Sequence, residues 1–128
     1  MGSVIQSYRD LKVWQTGMNL AAACYVAAKS LPDEERFGLV SQMRRAAVSV
    51  PANIAEGYGR ENRGEFIQFL RVSHGSLKEL ETHLPIVQRV FPKATGAFSP
   101  LLPKTDELGK TLRALIRALQ NKSRSGGR

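Results

Sequence analysis

The sequence predicts an all-α protein, an antiparallel up-and-down four-helix bundle, on three observations. Four stretches repeat apolar residues at steps of three and four, the spacing that turns one face of a helix towards a core. Short segments rich in Pro, Gly, Asn or Ser separate them, and no stretch alternates apolar and polar residues as a half-buried strand would. At 128 residues the chain is one domain, long enough to bury about two-thirds of the surface its unfolded form exposes. The bounds read as a disordered N-terminus over residues 1–7, the bundle over 8–121 and a disordered basic tail over 122–128.

The first helix starts near Asp10, with Leu11, Trp14, Met18, Ala21, Tyr25 and Ala28 as its apolar stripe and Trp14 as a core anchor. Gly17 and the alanines at 21–23 leave part of it almost bare, which allows another backbone to approach closely. Cys24, the only cysteine, makes no intrachain disulfide and reads as a small core residue.

Ser30-Leu31-Pro32 breaks the pattern, and Asp33, Glu34 and Glu35 place negative charge at the start of the second helix. Its apolar stripe is Phe37, Val40, Met43, Ala47, Val50 and Ile54. Both stripes of this helix keep their phase across Pro51, so one helix kinked at Ser49–Pro51 is expected rather than two.

Gly57, Tyr58 and Gly59 end that helix, and Asn62 with Glu65 makes a capping-box-like start for the third. There Phe66, Leu70, Ser73, Leu77, Leu80, Leu84, Val87 and Phe91 alternate steps of 4 and 3, arguing for nearly aligned packing on its neighbours. Ser73, Gly75 and Ser76 are small, and a close approach is expected there; Pro85 leaves the geometry of Leu84–Phe91 open. Pro92–Ser99 reads as a loop. A fourth helix follows Pro100 with Leu101, Leu108, Leu112, Leu115 and Leu119 as its stripe.

The second helix carries a further, polar stripe: Gln42, Arg45, Ser49, Asn53, Glu56 and Arg60, within a sector of roughly 80° set roughly 130° from the apolar one. A solvating face usually fills with Lys and Glu, whereas this one carries short amides and hydroxyls suited to bonding another surface. That surface can be a second subunit, a neighbouring helix or a ligand, and spacing alone does not choose.

The net charge is +8, and residues 98–128 carry seven Lys and Arg against two Asp and Glu. Lys110, Arg113 and Arg117 make a basic strip roughly 10 Å long on the fourth helix, with Lys122, Arg124 and Arg128 extending it. Arg71, His74, Lys78 and Glu81 share a face of the third. Such charge fits either a solvating surface or phosphate contacts without base readout.

Enzyme chemistry is not expected. His74 and His83 are nine residues apart, roughly 13 Å along the axis and on opposite sides of one helix, so they do not share a metal. No metal-ligand cluster, nucleophile elbow or phosphate loop is present, and Glu79/Glu81 and Asp106/Glu107 have no partner implied by spacing. No cofactor is expected. With no run of 18 apolar residues and no signal segment, the expected location is the cytoplasm, without membrane contact.

The segment QMRRAAVSVPANIAEGYGR at Gln42–Arg60, with YRDLKVW at Tyr8–Trp14 and GSLKELETHL at Gly75–Leu84, resembles the bacterial family of rRNA intervening-sequence proteins, also called S23 ribosomal proteins. The resemblance spans roughly Tyr8–Leu119. It implies a small helical bundle that assembles into a ring, typically a pentamer, and a basic surface in contact with RNA or DNA. Distant relatives of similar shape are accessory subunits of reverse transcriptases in diversity-generating retroelements, which implies a protein partner as the alternative. In the ring, the polar stripe of the second helix is the expected subunit interface.

Overall fold

In the computed structural model the described residues are 4–33 and 38–126, with side chains through residue 122. They form helices and no strand: α1 Lys12–Ala28, α2 Leu39–Gly59, α3 Arg63–Val90, a single turn α4 Thr95–Phe98, and α5 Leu101–Gly126. Short 3₁₀ turns at Tyr8–Asp10 and Pro92–Ala94 precede α1 and α4. The protein is all-helical, with α2 packed on α1 and α3, and α5 packed on α3 and α1.

Local chemistry sets the ends. Ser7 and Asp10 cap the first turn reciprocally, the Ser7 hydroxyl accepting from Arg9 N at 3.1 Å and the Asp10 carboxylate from Ser7 N at 3.2 Å and Gln6 N at 2.9 Å. Residues 6 and 7 are thus hydrogen-bonded to the first turn. Asn62 caps α3, accepting from Glu65 N at 2.9 Å, and Glu61 before it takes the left-handed backbone, φ 57°. Phe37, expected in the second apolar stripe, and the charged pair Glu34 and Glu35 lie outside the described residues. At the other end α5 runs on to Gly126, past the boundary set at residue 121. No proline or glycine interrupts residues 121–125, so nothing in the sequence stops the helix there.

α2 continues through Pro51, and α3 through Pro85 to Val90. Pro51 is buried against α1: a Cβ built on Gly17 would lie 3.5 Å from Pro51 Cβ, so the bare side of α1 meets the proline ring. On the other flank Ser73, fully buried within the heptad of α3, donates to the Val50 carbonyl at 2.8 Å, which satisfies a buried hydroxyl. Gly57 is a second contact point: a Cβ there would come within 2.5 Å of Phe69 Cβ, so α2 and α3 touch almost backbone to backbone. Gly75 differs from the expectation, because nothing among the described residues packs within 4 Å of a Cβ built on it. The close contacts fall instead on Ser73 and Ser76, which face α2 while Gly75 faces outward.

The core takes Leu70, Leu77, Leu80, Leu84 and Val87 from α3, and Met43, Ala47, Val50 and Ile54 from α2, all essentially inaccessible. α1 is rotated from the expected stripe. Met18 and Tyr25 are 45% and 43% exposed and Trp14 is half-buried, edge-on to Tyr8, while Val13, Gly17, Leu20, Ala21, Cys24, Ala27 and Ala28 face inward. Ala21 and Ala28 are buried as expected and Leu11 and Trp14 pack partly buried against the core, but the centre of the buried face is turned by about 90° from the expected stripe. The physical reason is the crossing at Gly17 and Pro51, which brings the two backbones close and leaves room for small side chains rather than Met18 or Tyr25. Pro92–Ser99 is also not a plain loop. It contains α4, whose Phe98 is fully buried and anchors the segment in the core.

Candidate nucleic-acid interface

Helix pairing brings together basic residues that lie far apart in sequence. A Cβ built on Gly109 of α5 would lie 3.5 Å from Leu77 Cδ2 and 3.7 Å from Lys78 Nζ of α3. One turn further along α5, the charge of Arg113 acts on His74, one turn back along α3. The two helices therefore run antiparallel, and the same register sets Arg117 at the level of Arg71 and Lys110 at the level of Lys78. Arg71, His74 and Lys78 thus follow one another along α3, and Arg117, Arg113 and Lys110 along the paired stretch of α5.

Acidic neighbours neutralise only one end. Lys78 donates to both Glu81 oxygens, at 3.1 and 3.2 Å, and Lys110 reaches Asp106 at 3.4 Å. Both pairs are open to water, and exposed pairs of this kind contribute little to stability. Arg71, Arg113 and Arg117 have no acidic partner within 4 Å among the described residues. Burial holds His74 below the usual imidazole value, helped by the positive charges of Lys78 and Arg113 and opposed by Glu81. Its Nε2 is buried with no hydrogen-bond partner among the described residues. Sequence reasoning placed Lys110, Arg113 and Arg117 on one strip and Arg71, His74, Lys78 and Glu81 on another; in the structure the two strips lie on helices packed against each other. Lys122 is exposed on α5 beyond these strips, and the side chain of Arg124, with Arg128, lies outside the described residues.

The polar stripe of α2 divides. Ser49 and Asn53 turn onto the neighbouring helix: Ser49 Oγ and Ser76 Oγ share a hydrogen bond of 2.8 Å, and Asn53 Nδ2 donates to the Ser49 hydroxyl and carbonyl at 2.8 Å each. Gln42 and Arg45 stay exposed and, with Ala46, Ser49, Ser76 and Glu79, line an open groove of about 430 Å³ between α2 and α3. Glu56 accepts from Arg60 at 2.9 Å, and the Arg60 guanidinium also lies 4.9 Å from the centre of the Phe69 ring and 3.7 Å from Glu65. Beside this stripe Tyr25, Arg44, Arg45 and Val48 line a second groove, in which the Arg44 guanidinium stacks 4.7 Å over the Tyr25 ring.

His83 is 8% exposed, with Glu79 Oε2 3.9 Å from its Nε2 and both ring nitrogens lacking hydrogen bonds among the described residues. No group of three or more His, Cys, Asp and Glu able to hold a metal occurs among the described residues. No helix there is long and apolar enough to cross a membrane.

Fold and surface together define a small all-helical protein with basic residues along two paired helices, α3 and α5. The family model of the 23S rRNA-intervening sequence protein matches residues 9–114, and the chain belongs to that family. A crystal structure of a protein of unknown function from the S23 ribosomal protein family of Bacteroides thetaiotaomicron is similar at a TM-score of 0.73 and 24% identity. The match covers 81% of this chain and 97% of that one, and the likeness is one of fold. Comparison with curated proteins returned no match.

Proposed function

We propose that this chain is a non-enzymatic, oligomeric four-helix-bundle protein of the cytoplasm that contacts RNA or DNA through phosphates, without reading bases. The observation that carries the proposal is that Arg71, Arg113 and Arg117, on the paired helices α3 and α5, have no acidic partner within 4 Å among the described residues. Like charges held together destabilise one another unless an anion lies among them, and a phosphate chain supplies regularly spaced anions. The family name points to ribosomal RNA as one source of that chain. The cyclic packing order α1, α2, α3, α5 and back to α1 supports the bundle. Resemblance supports a ring, with a pentamer as the expected assembly, in which the basic surface is repeated on each subunit and weak contacts gain from multivalency.

Three contacts per protomer give a salt slope of about −2.7, a loss of roughly 40-fold in affinity between about 50 and 200 mM salt. Fluorescence anisotropy with structured RNA and duplex DNA at those two salts tests this, alongside the double reversal Arg113→Glu, Arg117→Glu. Steep salt dependence that collapses in the double variant supports the proposal; absence of binding at the lower salt, or binding that survives the reversal, refutes it.

A second reading, an accessory subunit for a protein such as a reverse transcriptase, is favoured by one observation. Met18, Tyr25 and Val48 are each more than two-fifths exposed, on the outer sides of α1 and α2. Apolar side chains gathered there suit a protein surface, either another copy or a different partner. A pull-down that recovers no partner from a host carrying such an enzyme counts against it.

A further inference from the structure

A cavity of about 370 Å³ opens where α2 turns into α3, within the usual range for small-ligand sites, about 300–1,000 Å³. Tyr58, Phe66 and Leu119 are its apolar lining, and Gln6, Glu61, Asn62 and Arg63 its polar one. Tyr58 and Phe66 are half-buried, with ring centroids 5.8 Å apart and planes at 83°. Two rings so placed form a corner: a flat aromatic ligand laid parallel to one meets the other edge-on, and aromatic pairs favour both contacts. Arg63 has no acidic partner within 4 Å among the described residues, and it lies with Arg71, His74 and Lys78 within a sector of roughly 80° on α3. Building on the reading that those basic residues contact phosphates, we propose that the cavity takes one unpaired nucleobase of a single-stranded nucleic acid, with Arg63 on the adjoining phosphate.

Each part of the lining fits such a ring. Leu119 and the two aromatic side chains meet the apolar faces of a base whatever its identity, so the contact tolerates sequence. Asn62 accepts from Glu65 N at 2.9 Å through Oδ1, which leaves its amide hydrogens, together with the Gln6 amide, to meet the polar edge of the base. The Glu61 carboxylate repels phosphate, so the base is favoured beside it and the backbone beside Arg63. A paired base enters only by leaving its stack and its partner, whereas an unpaired one is free to do so. The cavity therefore favours single strands, loops and ends over duplex. Phosphate contacts along α3 and α5 do not by themselves make that distinction.

The experiment measures anisotropy of a labelled single-stranded RNA of about ten nucleotides, and of its duplex, at about 100 mM salt. The proteins are the wild type, Tyr58→Leu, Tyr58→Phe and Tyr25→Leu. Tyr58→Leu is expected to weaken strand binding by about fivefold to 100-fold, the range that stacking on one aromatic side chain is worth, and to leave duplex binding unchanged. Tyr58→Phe keeps the ring and should keep the affinity. Tyr25→Leu, on α1 and outside the cavity lining, should change neither. A strand carrying 2-aminopurine reads the same contact without substitution, and its emission should fall when the wild type binds. Strand affinity unmoved by Tyr58→Leu with undimmed 2-aminopurine, or an equal loss for strand and duplex, overturns this inference; duplex binding by the wild type then leaves the phosphate reading standing. No binding of strand or duplex overturns both.

Discussion

Gly57→Ala tests the crossing on which the fold is built. The added methyl would lie 2.5 Å from Phe69 Cβ, 3.2 Å from Phe66 Cδ1 and 3.3 Å from Phe69 Cγ. Carbon atoms settle at about 3.5–4.0 Å, and Phe69 Cβ is fixed to the α3 backbone and cannot rotate away, so the helices must separate by about 1 Å. Overpacking of that size sits at the upper end of its usual range, about 3 kcal/mol, and alanine returns about 1 kcal/mol of helix propensity. The net loss is about 2 kcal/mol, a fall in Tm of about 6–10 °C for a chain of this size. Gly75→Ala is the matched control, since nothing among the described residues packs within 4 Å of its added methyl. It should gain up to about 1 kcal/mol. Thermal and urea unfolding followed by circular dichroism, at fixed protein concentration, measures both. A Gly57→Ala protein as stable as the wild type would refute the close crossing, and a destabilised Gly75→Ala protein would show that another subunit packs on the outer face of α3.

Three further outcomes follow from the same contacts. His74 is held below the usual imidazole value in the folded chain, so the unfolded chain takes the proton first; stability is full above about pH 6.5 and falls as the pH drops through that value. Urea midpoints measured across that range should show the decline, and His74→Gln should remove His74's share of it. Cys24 is fully buried and its thiol is pushed up to about 11 by burial, so a thiol reagent at neutral pH should label it only at the rate of unfolding. Labelling as fast as a free thiol would contradict that burial. Arg45→Ala, which removes an exposed group of the α2 stripe, should lower the mass seen by light scattering if the stripe joins subunits, whereas Asn53→Ala should also cost stability of about 1 kcal/mol by freeing Ser49. Unchanged mass for Arg45→Ala would remove this part of the stripe from the interface.

Much of the fold was legible because its signals are local. The alternating steps of α3 placed Leu70, Ser73, Leu77, Leu80, Leu84 and Val87 in the core, where they are all buried. Asn62 was recognisable as a cap from its side chain and the acid three residues on. The α2 stripe was legible as a surface distinct from the core, yet its division, with Ser49 and Asn53 bonding within the seam and Gln42 and Arg45 left outside, depends on where Ser76 lies. Phe98 was missed because a four-residue helix has too few positions to show a period.

By itself, then, the sequence determined which segments are helical, where α3 begins, and which faces of α2, α3 and α5 are apolar, because periodicity and capping act within a few residues of chain. It did not determine how α1 is rotated or how α3 and α5 are aligned. Periodicity sets the angle between residues of one helix, while the turn of that helix towards its neighbours depends on the sum of contacts across the seam. Gly17 against Pro51 decided the first, leaving Met18 and Tyr25 outside. Gly109 against Leu77 and Lys78 decided the second, and that register sets the basic strip of α5 beside that of α3.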